Sequence, residues 1–224
     1  NTLNDDLDFS NVETLGAGVF KNATINGDVT FGNRTNIPSG TFELSTINGL
    51  IDFDNITTIE SNAFLNVKKL SQDLIFDNSI NIEASAFSGA KLQNVTFIGS
   101  GVISSNAFAN STIGILKLGA VSSIAGATPS VAEDGETVIG DDTGAFFNAN
   151  IAEIHIENAA DPAPLSFAYA TIGTLDFGNL TRSGLTSGAD VNGYSSPFYG
   201  VTSINNLNFG SMQTLGDYYF KGVE

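Results

Sequence analysis

The chain has 224 residues and carries 24 acidic against 8 basic side chains, a net charge of −16, with no cysteine. That balance repels nucleic-acid phosphates and anionic bilayers, and the missing thiols exclude disulfides, thiolate nucleophiles and cysteine-held zinc. No apolar run approaches the ~20 residues of a membrane-crossing helix, and the chain starts at Asn, as expected of a processed or excised piece of a longer protein with flanking domains or further repeats beyond its ends.

From the N-terminus, the first element is a short strand around Asp8, between the apolar residues Leu7 and Phe9. A spacing of two between apolar residues is strand periodicity. The same pair returns as Val29/Phe31, Ile51/Phe53, Leu74/Phe76, Val95/Phe97, Leu116/Leu118, Ile154/Ile156, Leu175/Phe177 and Leu207/Phe209. These predict strands centred on Thr30, Asp52, Ile75, Thr96, Lys117, His155, Asp176 and Asn208. Before each strand but the first stands a phenylalanine, Phe20, Phe42, Phe64, Phe87, Phe108, Phe146, Phe167 and Phe198, and Phe220 follows the last strand. Six of the eight intervals between them are 21–23 residues.

The rest of the unit keeps phase with that phenylalanine. Five residues before it comes Ile or Leu, as at Ile37, Ile59, Ile82 and Ile103, and three after it a small or modest side chain such as Ala23, Ser45, Val67 or Ala90. Ile or Leu follows again five or six residues on, as at Ile25, Ile47 and Leu70. One strand per ~22 residues cannot close a tight hairpin with its neighbour, so each segment must coil once and return in parallel, one layer on. No single coil buries enough surface to offset its backbone entropy, and stability comes from neighbours. Asn11, Asn33, Asn55, Asn78, Asn158 and Asn179 follow the strands and suit a turn. They are expected to stack as a ladder.

The segments "IESNAF" (59–64), "IEASAF" (82–87) and "ISSNAF" (103–108), each followed by a small residue, Leu or Ile and a short strand, resemble the BspA-like leucine-rich repeats of bacterial and some protist surface proteins. The resemblance covers essentially the whole chain. It departs from the family where Ala, Ser or Val replaces a frequent Cys three after the phenylalanine, and where Asn replaces a frequent Pro closing the strand. It implies one right-handed solenoid over 1–224, cut mid-repeat at both ends, with about nine short parallel strands and little α-helix. It further implies a secreted or cell-surface module for adhesion or protein or glycan binding, without a cofactor. A structural spacer or stalk is the alternative.

Two coils are overlong, with inserts at 125–145 and 182–197. Both leave the coil after the strand and before the phenylalanine, so both are expected on one side of the solenoid, where insertions in repeat arrays often bind ligands. Loop growth without function is the simpler reading.

Candidate ligand-binding residues lie on the outward strand face: Asp28, Asp52, Asp54, Asp73, Lys117, Glu153, His155, Glu157 and Asp176. His155 is expected between Glu153 and Glu157. Carboxylates with a histidine are acid–base equipment, yet catalysis needs a water-excluding pocket, and an open strand face offers none. Clustered carboxylates also attract calcium, but "DDLDF", "AEDGET" and "IGDDTG" match no loop with ligands at every second position and a closing Glu, so no metal site is assigned. The sequons at Asn22, Asn33, Asn55, Asn94, Asn110 and Asn179 follow from an Asn- and Thr-rich composition.

Overall fold

Successive coils stack through columns of parallel strands, up to three strands to a coil in the computed structural model. The structure describes residues 1–127, 130–131, 138–139, 142–183, 196–216 and 219–223, among which there is no helix. The first column follows the small residue after each phenylalanine: Thr2–Leu3, Thr24–Ile25, Thr46–Ile47 and Lys69–Leu70. The second carries the predicted strands: Leu7–Asp8 beside Val29–Thr30, then Leu74–Phe76 and Val95–Phe97. Around Asp52 there is only an isolated bridge from Val29 to Ile51 in place of the expected strand.

From Thr112–Leu118 onward the two columns fuse into single longer strands, through Asn150–Ile156, Thr171–Asp176 and Ile204–Asn208. A change of spacing accompanies the fusion. Ile25 and Val29, Ile47 and Ile51, and Leu70 and Leu74 are separated by three residues, whereas Ile113 and Leu116, or Ile151 and Ile154, are separated by two. The extra residue lets the chain bend between the two strands. Layers approach closely at this bend: a Cβ on Gly49 would lie 2.1 Å from the Gly27 carbonyl oxygen.

A third column, which the predicted strands do not include, runs just before the phenylalanine corner: Asn36–Ile37, Thr58–Ile59, Ile80–Ile82, Gly101–Ile103 and Ser123–Ile124. Arg182–Ser183 pairs with Thr214–Leu215 at the equivalent place. Among the described residues all pairing between coils is parallel. An antiparallel pair, Ser130–Val131 with Val138–Ile139, lies within the first insert.

The nine phenylalanines form one column of rings. All eight steps from Phe20 to Phe220 are stacked, with centroids 4.7–5.7 Å apart. The seven inner rings are fully buried, and Phe20 and Phe220 are partly so. Stacked rings at such distances add about 0.5–1.5 kcal/mol each beyond area burial. Each phenylalanine sits on a tight corner whose second following residue has positive φ, from Asn22 and Leu44 to Gly200 and Gly222. Asn and Gly tolerate this conformation, while a Leu or Tyr there costs about 1–2 kcal/mol. Hydrogen bonds between layers hold it, as where the Leu44 amide donates to the Leu65 carbonyl at 2.8 Å and the Tyr169 amide to the Tyr199 carbonyl at 2.9 Å. The first insert leaves the column unbroken: Ala145 donates its amide to the Ala125 carbonyl at 2.9 Å, and Phe146 stacks on Phe108 at 5.2 Å. The expectation that both inserts project from one side concerns residues mostly outside those described.

Candidate functional site

The middle residues of the second column form a row across the outward face. Strand register places Asp8 beside Thr30, and then Ile75, Thr96, Lys117, His155, Asp176 and Asn208 side by side in that order. The apolar residues flanking Thr30, Ile75, Thr96, Lys117, His155 and Asp176 point into the core, whereas Leu207 and Phe209 beside Asn208 are exposed, so up to the last coil this row is what the solenoid shows to solvent.

Several of its acids are committed to the fold. The Asp52 carboxylate accepts the Asp54 amide at 2.9 Å and the Asp176 carboxylate accepts the Gly178 amide at 2.9 Å. The Asp8 carboxylate accepts the Ser10 amide at 2.8 Å, and the Ser10 hydroxyl and amide hold Asp8 below the usual carboxylate range. A side-chain oxygen that captures the amide two residues on closes the turn that ends the strand. Other acids join layers. Asp6 accepts the Asp28 amide at 2.8 Å, Asp28 accepts the Leu50 amide at 2.7 Å, and Asp73 accepts the backbone and side-chain amides of Asn94. Glu60 and Glu83, in the two repeats that begin "IE", accept the amides of Ser39 and Ser61 one coil back, each at 3.0 Å.

His155 lies between Glu153, 3.4 Å from Nε2, and Asp176, 3.5 Å from Nδ1. Glu157 is not its partner. Asp176 stands opposite His155 on the adjacent strand, whereas Glu157 lies past the strand end. No hydroxyl is hydrogen-bonded to His155 among the described residues. Lys117 is exposed and borders a depression of about 200 Å³ with Thr96, Ile98 and Glu157. A second depression, about 320 Å³, lies between Asp54 and Asp77, and a third, about 440 Å³, between Asp28, Asp52 and Asp73. Among the described residues no three carboxylates or histidines are placed to share a metal ion.

The expected ladder of Asn11, Asn33, Asn55, Asn78, Asn158 and Asn179 takes another form. Asn55 and Asn78 donate to backbone carbonyls of the previous layer, those of Gly32 and Asp54. Side-chain amides stack instead at Asn4, Asn26 and Asn48, and between Asn110 and Asn148. The period alone could not choose between these columns, since Asn recurs in both.

Residues 4–114 match the BspA type leucine rich repeat region, in six copies. The chain belongs to that family. The BspA-type coils continue past 114 in the same register, as the pairing of Thr112–Leu118 with Asn150–Ile156 and the unbroken phenylalanine column show. No curated protein and no solved structure matched the chain.

Proposed function

We propose that the chain is a non-catalytic, extracellular or cell-surface module for adhesion or binding, whose protein or glycan ligand meets the strand face, the inserts, or both. One observation carries the reading. The core repeats almost unchanged from coil to coil, while the outward row changes from Thr96 to Lys117 to His155 to Asp176 on the same backbone. Individuality resides where solvent is. The depressions on this face are shallow and open, which suits recognition by contact better than chemistry. The BspA-type repeat class, often found in surface and adhesion proteins, agrees with it.

The spacer reading draws support from the carboxylates of Asp28, Asp52, Asp73 and Asp176, which already hold backbone amides. Converting Asp28, Asp52, Asp54 and Asp73 to Asn separates the two, because the amide oxygen still accepts those hydrogen bonds while the charge is lost. Matrix-protein and glycan arrays are expected to lose signal with this variant at unchanged melting temperature. Equal signals for parent and variant, and for a variant without the inserts, leave the spacer.

A further inference from the structure

We propose that the strand face around Ile75 docks an extended, basic polypeptide segment carrying an aliphatic side chain between two cationic ones. This rests on the binding-module reading and narrows its ligand from protein or glycan to a cationic protein. The first observation is apolar. Leu50, Ile75 and Ile98 are 57%, 53% and 58% exposed, one in each of three successive layers. None of them serves the core, which is filled from the other side by Leu74, Phe76, Val95 and Phe97. Ile75 occupies the row position that is Asp, Thr, Lys or His in other coils. Ile98 occupies the position of Asp54 and Asp77 in the two coils before it. Aliphatic side chains held in water at these polar positions cost solvation and return nothing to the fold. Grouped on one face, they mark a contact surface.

The second observation is charge. No lysine or arginine lies within ion-pair distance of Asp52, Asp54, Asp73 or Asp77 among the described residues, where Lys21 pairs with Glu43 instead. The field over Ile75 is therefore uncompensated, and it selects a positive partner. The two observations share one geometry. Asp73, Ile75 and Asp77 follow one another at spacing two, acid–aliphatic–acid, and the depression of about 320 Å³ opens beside Ile75 and Asp77. An extended segment also presents every second side chain to one side. A sequence with cation, aliphatic and cation at spacing two matches this order side chain by side chain. A polyol gains no hydrogen bond from Ile75 or Ile98, and a bare cation gains nothing from either.

The test uses the full chain and a synthetic probe: two tandem copies of Lys-Thr-Ile-Thr-Lys, compared with Lys-Thr-Ser-Thr-Lys of equal charge and with Glu-Thr-Ile-Thr-Glu. The Ile probe is expected to bind about tenfold more tightly than the Ser probe, the scale of one well-placed apolar anchor. The acidic probe is expected not to bind, and rising salt is expected to weaken the Ile probe. Ile75→Ser is expected to erase the preference at unchanged melting temperature, and Ile98→Ser to reduce it. Equal affinity for the Ile and Ser probes, or an unchanged preference in Ile75→Ser, overturns the proposal. A glycan and matrix-protein panel run alongside separates the two readings. Binding there without a peptide preference overturns this inference alone, and silence on both overturns the module reading as well.

Discussion

The phenylalanine column and the outward strand row run through the same coils and obey opposite rules. In the column each ring stacks on another copy of itself, 4.7–5.7 Å away, and nine of nine positions are Phe. In the row the register is just as regular, yet the side chains are Asp, Thr, Ile, Lys, His and Asn. A stacked core demands identity, because each side chain is its neighbour's packing surface. The solvent face demands only that the backbone hydrogen bonds be made, and that leaves it free to carry recognition.

The largest expected break in this comparison is Phe87→Ala. Phe87 is fully buried between Phe64 at 4.8 Å and Phe108 at 5.1 Å, so truncation should cost about 3–5 kcal/mol. Thr96→Ala, on the outward row, should stay within about 0.5 kcal/mol. Denaturant melts of both variants check this, and comparable losses would show that the two surfaces are not energetically distinct.

Next comes Gly49→Ala, where layers meet through backbone alone. The added methyl lies 2.1 Å from the Gly27 oxygen and must push one coil off the next, at about 1–3 kcal/mol. Gly18 is the control: no atom lies within 4 Å of its Cβ position, and at φ 67° only the left-handed conformation opposes alanine. Gly18→Asn should be close to neutral, since Asn62 and Asn106 hold the same place in later coils. A larger loss at Gly18 than at Gly49 would refute the close approach.

The fold was legible in the sequence wherever side chains repeat. Pairs such as Leu74/Phe76 located the second column, and the phenylalanine period located the corner. The third column was not legible, because Ile37 and Ile59 each stand alone among polar neighbours, and only Ile80/Ile82 shows spacing two. The site was half legible. Repeat alignment placed Lys117, His155 and Asp176 in one row, as the strand register does. It could not show that Asp28 serves Leu50, or Glu60 serves Ser39, since such partners lie a full coil away and are backbone amides. Leu50 and Ile98 carry no repeat signal, because each is a departure from the repeat.

That double life of the acids is open to measurement. Asp28→Ala removes the acceptor of the Leu50 amide and should cost about 1 kcal/mol. Asp28→Asn keeps the oxygen and should melt like the parent. If both variants lose stability equally, charge and not the hydrogen bond is what Asp28 supplies.

The smallest effect tests the core position three residues after the phenylalanine. Ser45 and Ser111 occupy it, both buried. The Ser111 hydroxyl donates to the Phe108 carbonyl at 2.7 Å, whereas the Ser45 hydroxyl has no partner. Other coils place Ala23, Ala90, Ala149 and Ala170 there, so the backbone accepts alanine without change. Removing an unpaired buried hydroxyl relieves its desolvation, and removing a paired one forfeits a bond. Ser45→Ala should therefore stabilise the chain by about 1 kcal/mol, and Ser111→Ala should destabilise it by about as much. A difference of that size shifts the melting temperature of a chain this long by roughly 2–4 °C in each direction, within reach of calorimetry. Shifts of the same sign in both variants would mean that the two serines share one environment, contrary to the hydrogen-bond geometry that separates them.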